Sequence, residues 1–242
     1  MECKKALMES GEDMEKAIDW LREKGIAKSA SKASRVAAEG LANITVDGNT
    51  AILVEVNSET DFSARTDKFK EMVAKVAKTI LVAKPATVEE ALEVVGEEGK
   101  VSEMIAAVSF ATGEKMTLRR FEIVEKTDDQ VFGQYVHHDG KTACIVVLNG
   151  DKADIAKSIA MQVASMNPSY IDRDHMPADI VDHEREVQMS IMKNDEANAN
   201  KPEAILAKIV EGRVSKALQD MCLVDQAFIL DGNTKVGAYL KA

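Results

Sequence analysis

The spacing of apolar positions changes several times along the chain, and each change marks a new element. The run Ala51-Ile52-Leu53-Val54-Glu55-Val56, bounded by Asp47-Gly48 and Asn57-Ser58, predicts a buried strand. A helical stripe follows it at Phe69, Met72, Val73, Val76, Ala77 and Ile80. The same signals then recur. Asp47-Gly48-Asn49-Thr50-Ala51 aligns with Asp139-Gly140-Lys141-Thr142-Ala143, an offset of 92 residues from Asp47 to Asp139, and the alignment runs on to Asn57 and Asn149. Each copy has an extended segment before it, residues 41–46 and 134–138, so each Asp-Gly is a candidate hairpin turn. The second copy also has its stripe, at Ile155, Ile159, Ala160, Val163 and Met166. The pattern predicts an α+β fold built from two related β-hairpin-plus-helix halves.

Helical patterns flank this repeat. In residues 2–25, Cys3, Ala6 and Leu7 share one face and Ala17, Ile18 and Leu21 another, with Ser10-Gly11 as the break and Trp20 beside the second face. Residues 28–38, rich in Lys, Ser and Ala, read as a connecting segment. Residues 87–107 are acidic and helical, opened by a capping box of Thr87 and Glu90, and residues 115–125 read as a strand. Beyond Pro177, Ile180, Val187 and Ile191 step along one helix. After a polar turn, Lys201-Pro202 starts a second helix, whose stripe is Ile205, Leu206, Ile209, Val210, Val214 and Leu218. Together they predict a protruding antiparallel helical hairpin. The expected segmentation is 1–27, a helical module; 28–38, a linker; 39–125 and 126–176, the two halves; 177–220, the hairpin; and 221–242, a return to the core.

Composition narrows the function. Of 242 residues 45% are hydrophobic, enough for a packed core. The net charge of -10 disfavours direct nucleic-acid binding, and 4% aromatics leave no stacking platform for single strands. Cys3, Cys144 and Cys222 are few and far apart, without a Cys-x-x-Cys or zinc-ligand spacing, so reduced thiols and no metal or cofactor are expected. Neither an apolar signal core nor a run of about 20 apolar residues occurs, so the expectation is a soluble intracellular protein away from membranes.

The candidate functional residues sit where the first strand gives way to a helix. Phe62, flanked by Thr60, Asp61 and Ser63, either folds back as a core anchor or is presented to a partner as an apolar wedge. A second candidate is His137-His138-Asp139. A small hydrolase could use His137 or His138, but neighbours on a strand face opposite ways, and no nucleophile elbow, phosphate loop or His-Glu-x-x-His accompanies them.

Three separated motifs decide in favour of the wedge. Thr60-Asp61-Phe62 resembles the signature of the elongation factor Ts family, the nucleotide-exchange factors of elongation factor Tu. So do Cys3-Lys4-Lys5-Ala6-Leu7, Gly11-Glu12-Asp13-Met14 and Leu21-Arg22-Glu23-Lys24-Gly25 at the start. Glu211-Gly212-Arg213 and Leu223-Val224-Asp225-Gln226-Ala227-Phe228 near the end agree as well. The resemblance implies that residues 1–27 belong to a UBA-like module of three helices whose first would precede Met1, and that a further strand would follow Ala242. It also implies that Asp61 and Phe62, in a loop shaped by Thr60 and Ser63, disturb the Mg²⁺ region of elongation factor Tu bound to GDP. Lys4 and His137 would be further contacts. The helical hairpin would touch elongation factor Tu or a second copy of the chain, giving a homodimer. A cytoplasmic or organellar-matrix location would follow, with no active site of its own. The rival within the family is a relative that docks without efficient exchange.

Overall fold

The computed structural model describes residues 2–30, 32, 34–194 and 202–241, without the side chains of Glu2 and residues 26–30. The chain forms two compact units, Met1–Lys157 and Ser158–Ala242.

The first unit opens with α1 (Glu2–Glu9) and α2 (Met14–Ala30). Gly11 and Glu12, at φ 65° and 66°, make the break between them. Ala6 and Ala17 are buried as expected, whereas Cys3 and Ile18 are exposed. Helix α2 runs on through Lys28-Ser29-Ala30, which hold nothing that stops a helix.

The core of this unit is a three-stranded antiparallel sheet in the order β1 (Glu39–Asp47), β2 (Thr50–Ser58) and β5 (Met116–Glu125). Asp47 pairs Thr50, which closes a two-residue turn at Gly48-Asn49 with Gly48 at φ 56°. Ile52, Val54 and Val56 alternate onto one face and pack on α4 (Asp67–Ala83), whose Phe69, Met72, Val73, Val76, Ala77 and Ile80 are all buried. A bulge between Glu55 and Val56 places both Arg119 and Arg120 against the Glu55 carboxylate, at 3.6 and 2.6 Å.

Residues 87–107 are not continuously helical. Helix α5 (Val88–Glu93) gives way to a minimal hairpin of β3 (Val95–Gly96) and β4 (Gly99–Lys100), and α6 (Val101–Thr112) follows. Gly96 and Gly99 punctuate the stretch, Gly99 at φ 109°. The Thr87 cap forms, but Glu90 reaches the Ala86 N–H instead of closing the box on Thr87.

The second hairpin, β6 (Gln130–His137) with β7 (Thr142–Asn149), forms a sheet by itself. It repeats the first hairpin with a longer loop, because His137 pairs Thr142. His138, Asp139 and Gly140 all take positive φ there, at 47°, 54° and 97°, so His138 lies off the strand that was expected to include it. Helix α7 (Ala153–Met166) follows, as α4 follows the first hairpin. Gly133 of β6 lies directly against its first turn, where an added Cβ would stand 2.0 Å from the Ala156 carbonyl oxygen.

The second unit holds the rest of α7, then α8 (Ala178–Asn194) and α9 (Glu203–Ala217), which run as the expected helical hairpin. Its core is Met176, Met192, Val210, Val214, Leu218 and Cys222, with Ile180, Val181 and Met189 packed alongside. The stripe on α9 is as expected except for Ile205, which is exposed, while the expected face of α8 holds only at Ile180. Val187 and Ile191 are exposed, and Met189 and Met192 face inward, because flexible methionines fill the irregular gap between the helices. On α7, Met166 is likewise exposed while Gln162 is fully buried. Gln162 and Gln226 bond each other at 3.0 Å, and Gln226 also donates to the Asp220 carbonyl at 2.6 Å. The chain closes with α10 (Val236–Tyr239), where Tyr239 stacks on Phe228. No helix among the described residues is long and apolar enough to cross a membrane.

Candidate functional site

Two threonine caps in tandem build the turn that follows β2. Thr60 caps α3 (Asp61–Arg65), accepting from the Ser63 N–H at 3.3 Å, and Thr66 caps α4 by accepting from the Phe69 N–H at 3.3 Å. With about 100° of rotation per residue, a five-residue helix that buries Ser63 and Ala64 must turn Phe62 the other way. Phe62 is 80% exposed, the most exposed large apolar side chain among the described residues. Leaving it in water forgoes about 1.5–3 kcal/mol of burial. Beside it, Asp61 is held by Arg65 at 3.0 Å, an exposed pair of small energetic weight.

The loop itself is tightly held. Glu114, just after α6, accepts from the Thr60 hydroxyl at 2.7 Å and from the Thr60 N–H at 3.1 Å. Burial pushes its carboxyl up, but hydrogen bonds from the Ser63 and Thr60 side chains and from the Thr60 and Glu59 N–H groups bring it below its ordinary value. Glu59 is lowered too, first by the Lys115 N–H and then by Arg35 at 3.2 Å. Ser58, fully buried, donates to the Thr60 carbonyl at 2.9 Å.

The tip of the second hairpin comes alongside. Asp61, Ala64 and Arg65 share a groove of about 450 Å3 with His138, Asp139 and Lys141. Gly140 permits this approach, since an added Cβ would lie 2.9 Å from the Ala42 carbonyl oxygen. Lys141 pairs with Glu39 on β1. The consecutive positive φ values at His138 and Asp139 mark stored strain of the kind found at functional loops.

Of the four residues expected to act together, Phe62 is exposed, Thr60 and Asp61 are half-buried beside it, and Ser63 is buried beneath the turn. His137 is exposed on β6, its Nδ1 2.8 Å from the Tyr135 hydroxyl, and its ring lies 3.9 Å from that of His138 rather than across a strand from it. Lys4 is exposed on α1. Cys144 is no nucleophile, since burial pushes its thiol up to about 11. Glu114, Glu59 and Arg35 carry no local signal of their role, because their partners lie 24 to 56 residues away in the chain.

Comparison with known proteins gives the family. Residues 59–242 match the sequence model of the family described as Elongation factor TS. The chain is 50% identical, over all 242 residues and 82% of the relative, to the elongation factor Ts of Limosilactobacillus reuteri strain DSM 20016. The same figures hold for that of L. reuteri subsp. reuteri strain JCM 1112. The chain belongs to the elongation factor Ts family. The family is known as that of nucleotide-exchange factors for elongation factor Tu in translation. The family match begins at Glu59 and so takes in the presented loop, β5, the second hairpin and the helical hairpin, while β1 and β2 fall within the full-length likeness to the two relatives.

Proposed function

We propose that this chain binds elongation factor Tu in its GDP state and accelerates GDP release, with Phe62 as the wedge and Asp61 beside it. The observation that supports this most is an 80% exposed phenylalanine on a loop whose neighbours are hydrogen-bonded in place. Inserted near the partner's Mg²⁺ region, the ring displaces side chains there. Weakening the metal removes the main countercharge on the phosphates, and GDP leaves. His137 and Lys4 act as outlying contacts.

One ring cannot supply the whole effect. Burying a Phe yields about 1.5–3 kcal/mol, roughly ten- to a hundredfold in rate or affinity. Coupling is reciprocal, so a factor that expels GDP must gain binding energy over a wider surface. The groove beside α3 extends the interface in that direction.

The test is release of a fluorescent GDP analogue from elongation factor Tu with substoichiometric amounts of the chain. Multiple turnovers of release support exchange. A complex on gel filtration without accelerated release identifies a docking protein instead, and the absence of both overturns the assignment.

A further inference from the structure

We infer that Glu114 is the positioning residue for this wedge: its carboxylate clamps Thr60, the cap of α3, and so sets the direction in which Phe62 leaves the surface. The inference rests on the exchange reading above.

A five-residue helix cannot hold its own geometry, since the first turn of any helix is unfavourable to form. Phe62, pointing into solvent, is aimed by its backbone alone. The clamp on that backbone is one carboxylate, which receives the Thr60 hydroxyl at 2.7 Å and the Thr60 N–H at 3.1 Å, while Thr60 in turn caps Ser63. Charge-assisted bonds of this kind are about twice as strong as neutral ones.

Glu114 is in turn fixed from behind. Its carbonyl accepts from the Ser109 hydroxyl at 2.5 Å and from Lys32 Nζ at 3.2 Å. Lys32 is only 5% exposed and also donates to the Ser109 carbonyl at 2.7 Å. Arg35 spans from Glu59 to the Gly113 carbonyl, 3.2 Å from each, and Lys115 Nζ returns to the Arg35 carbonyl at 2.8 Å. The segment expected to be a plain linker therefore braces the turn after α6, and that turn braces the wedge. A misplacement of about 1 Å at a reacting group can cost on the order of a hundredfold, so the brace bears on rate.

The experiment is a double-mutant cycle on GDP release from elongation factor Tu, with Glu114→Ala and Phe62→Ala made singly and together and unfolding followed by circular dichroism. Glu114→Ala is expected to lower the saturating release rate about tenfold while moving the half-saturating concentration less than about threefold. In the Phe62→Ala background it should cost less than about twofold, because a group that acts only through Phe62 has nothing left to aim. Glu114→Gln, which keeps two contacts to Thr60, should retain within about threefold of the wild-type rate; if Glu114→Ala does not fold, Thr60→Val, which removes the hydroxyl donor to the carboxylate, carries the cycle with the same expected pattern. An equal Glu114→Ala loss in both backgrounds, or none in the wild type, overturns the inference and leaves the wedge standing. Wild-type release by Phe62→Ala overturns the wedge and the inference with it.

Discussion

Gly133→Ala should destabilise the second hairpin, although the residue lies in a strand at ordinary φ. An added Cβ would stand 2.0 Å from the Ala156 carbonyl oxygen, 2.2 Å from the Ala156 carbonyl carbon and 2.8 Å from the Lys157 nitrogen. All three are backbone atoms, so no side chain can swing aside. Relief requires α7 to lift from β6 by about 1 Å, and a gap of 0.5–1 Å forfeits roughly a quarter to a half of each dispersion contact across it. Together with overpacking, the cost should be about 3 kcal/mol, the upper end for inserted methyl groups. For a chain of this length that corresponds to a fall in Tm of roughly 6–12 °C. Gly212→Ala is the control with opposite sign: it lies within α9 with nothing within 4 Å of an added Cβ. Removing glycine from a helix interior stabilises by about 0.5–1 kcal/mol. Thermal unfolding by circular dichroism reads both. A Gly133→Ala melting point within about 1 °C of wild type would refute the packing argument.

Other consequences are direct. Glu114 and Glu59 both titrate below the ordinary carboxyl value of 4.5, so their stabilisation is complete above that value and is lost as pH falls through the lowered one. Urea midpoints should therefore drop below about pH 4.5, and less steeply in Glu114→Gln. His175 is shifted the opposite way, raised first by its hydrogen bond to Asp172, so its contribution is full below 6.5 and fades as pH rises through the raised value; Asp172→Asn should lower its NMR titration midpoint. Cys3 is exposed while Cys222 is buried and Cys144 is held at about 11, so a thiol reagent at pH 8 should modify one cysteine quickly and the others only on unfolding. Gln226→Leu takes one partner from the Gln162 amide, which keeps the Ala227 carbonyl, and removes the Gln226 donor from the Asp220 carbonyl, which should cost about 1–3 kcal/mol in chemical denaturation.

Much of this was legible in the chain because period and turn chemistry are local. The stripe from Phe69 to Ile80 is buried at every position read, and the repeat at Asp47 and Asp139 marks two hairpins each followed by a helix. Thr87 was recognisable as a cap because its partner is three residues away. The presented loop was legible from its motif, and the structure agrees in exposing Phe62. What escaped depends on three-dimensional partners. Gly96 and Gly99 break a helical stretch because the chain turns there against Thr79 and Glu103. The face of α8 could not be chosen, since Met189 and Met192 compete with Val187 and Ile191 as apolar positions and only packing on α9 selects between them. Glu114 looked like any surface carboxylate, because the donors that define it lie about fifty residues earlier in the chain.

If an exposed, braced Phe62 drives nucleotide release, its removal must slow that release. Stopped-flow release of a fluorescent GDP analogue from elongation factor Tu, with saturating wild-type chain or Phe62→Ala, tests it most directly. Phe62→Ala should release the analogue at a rate roughly ten- to a hundredfold lower, with an unchanged circular dichroism spectrum. Release at the wild-type rate by the folded mutant would contradict it.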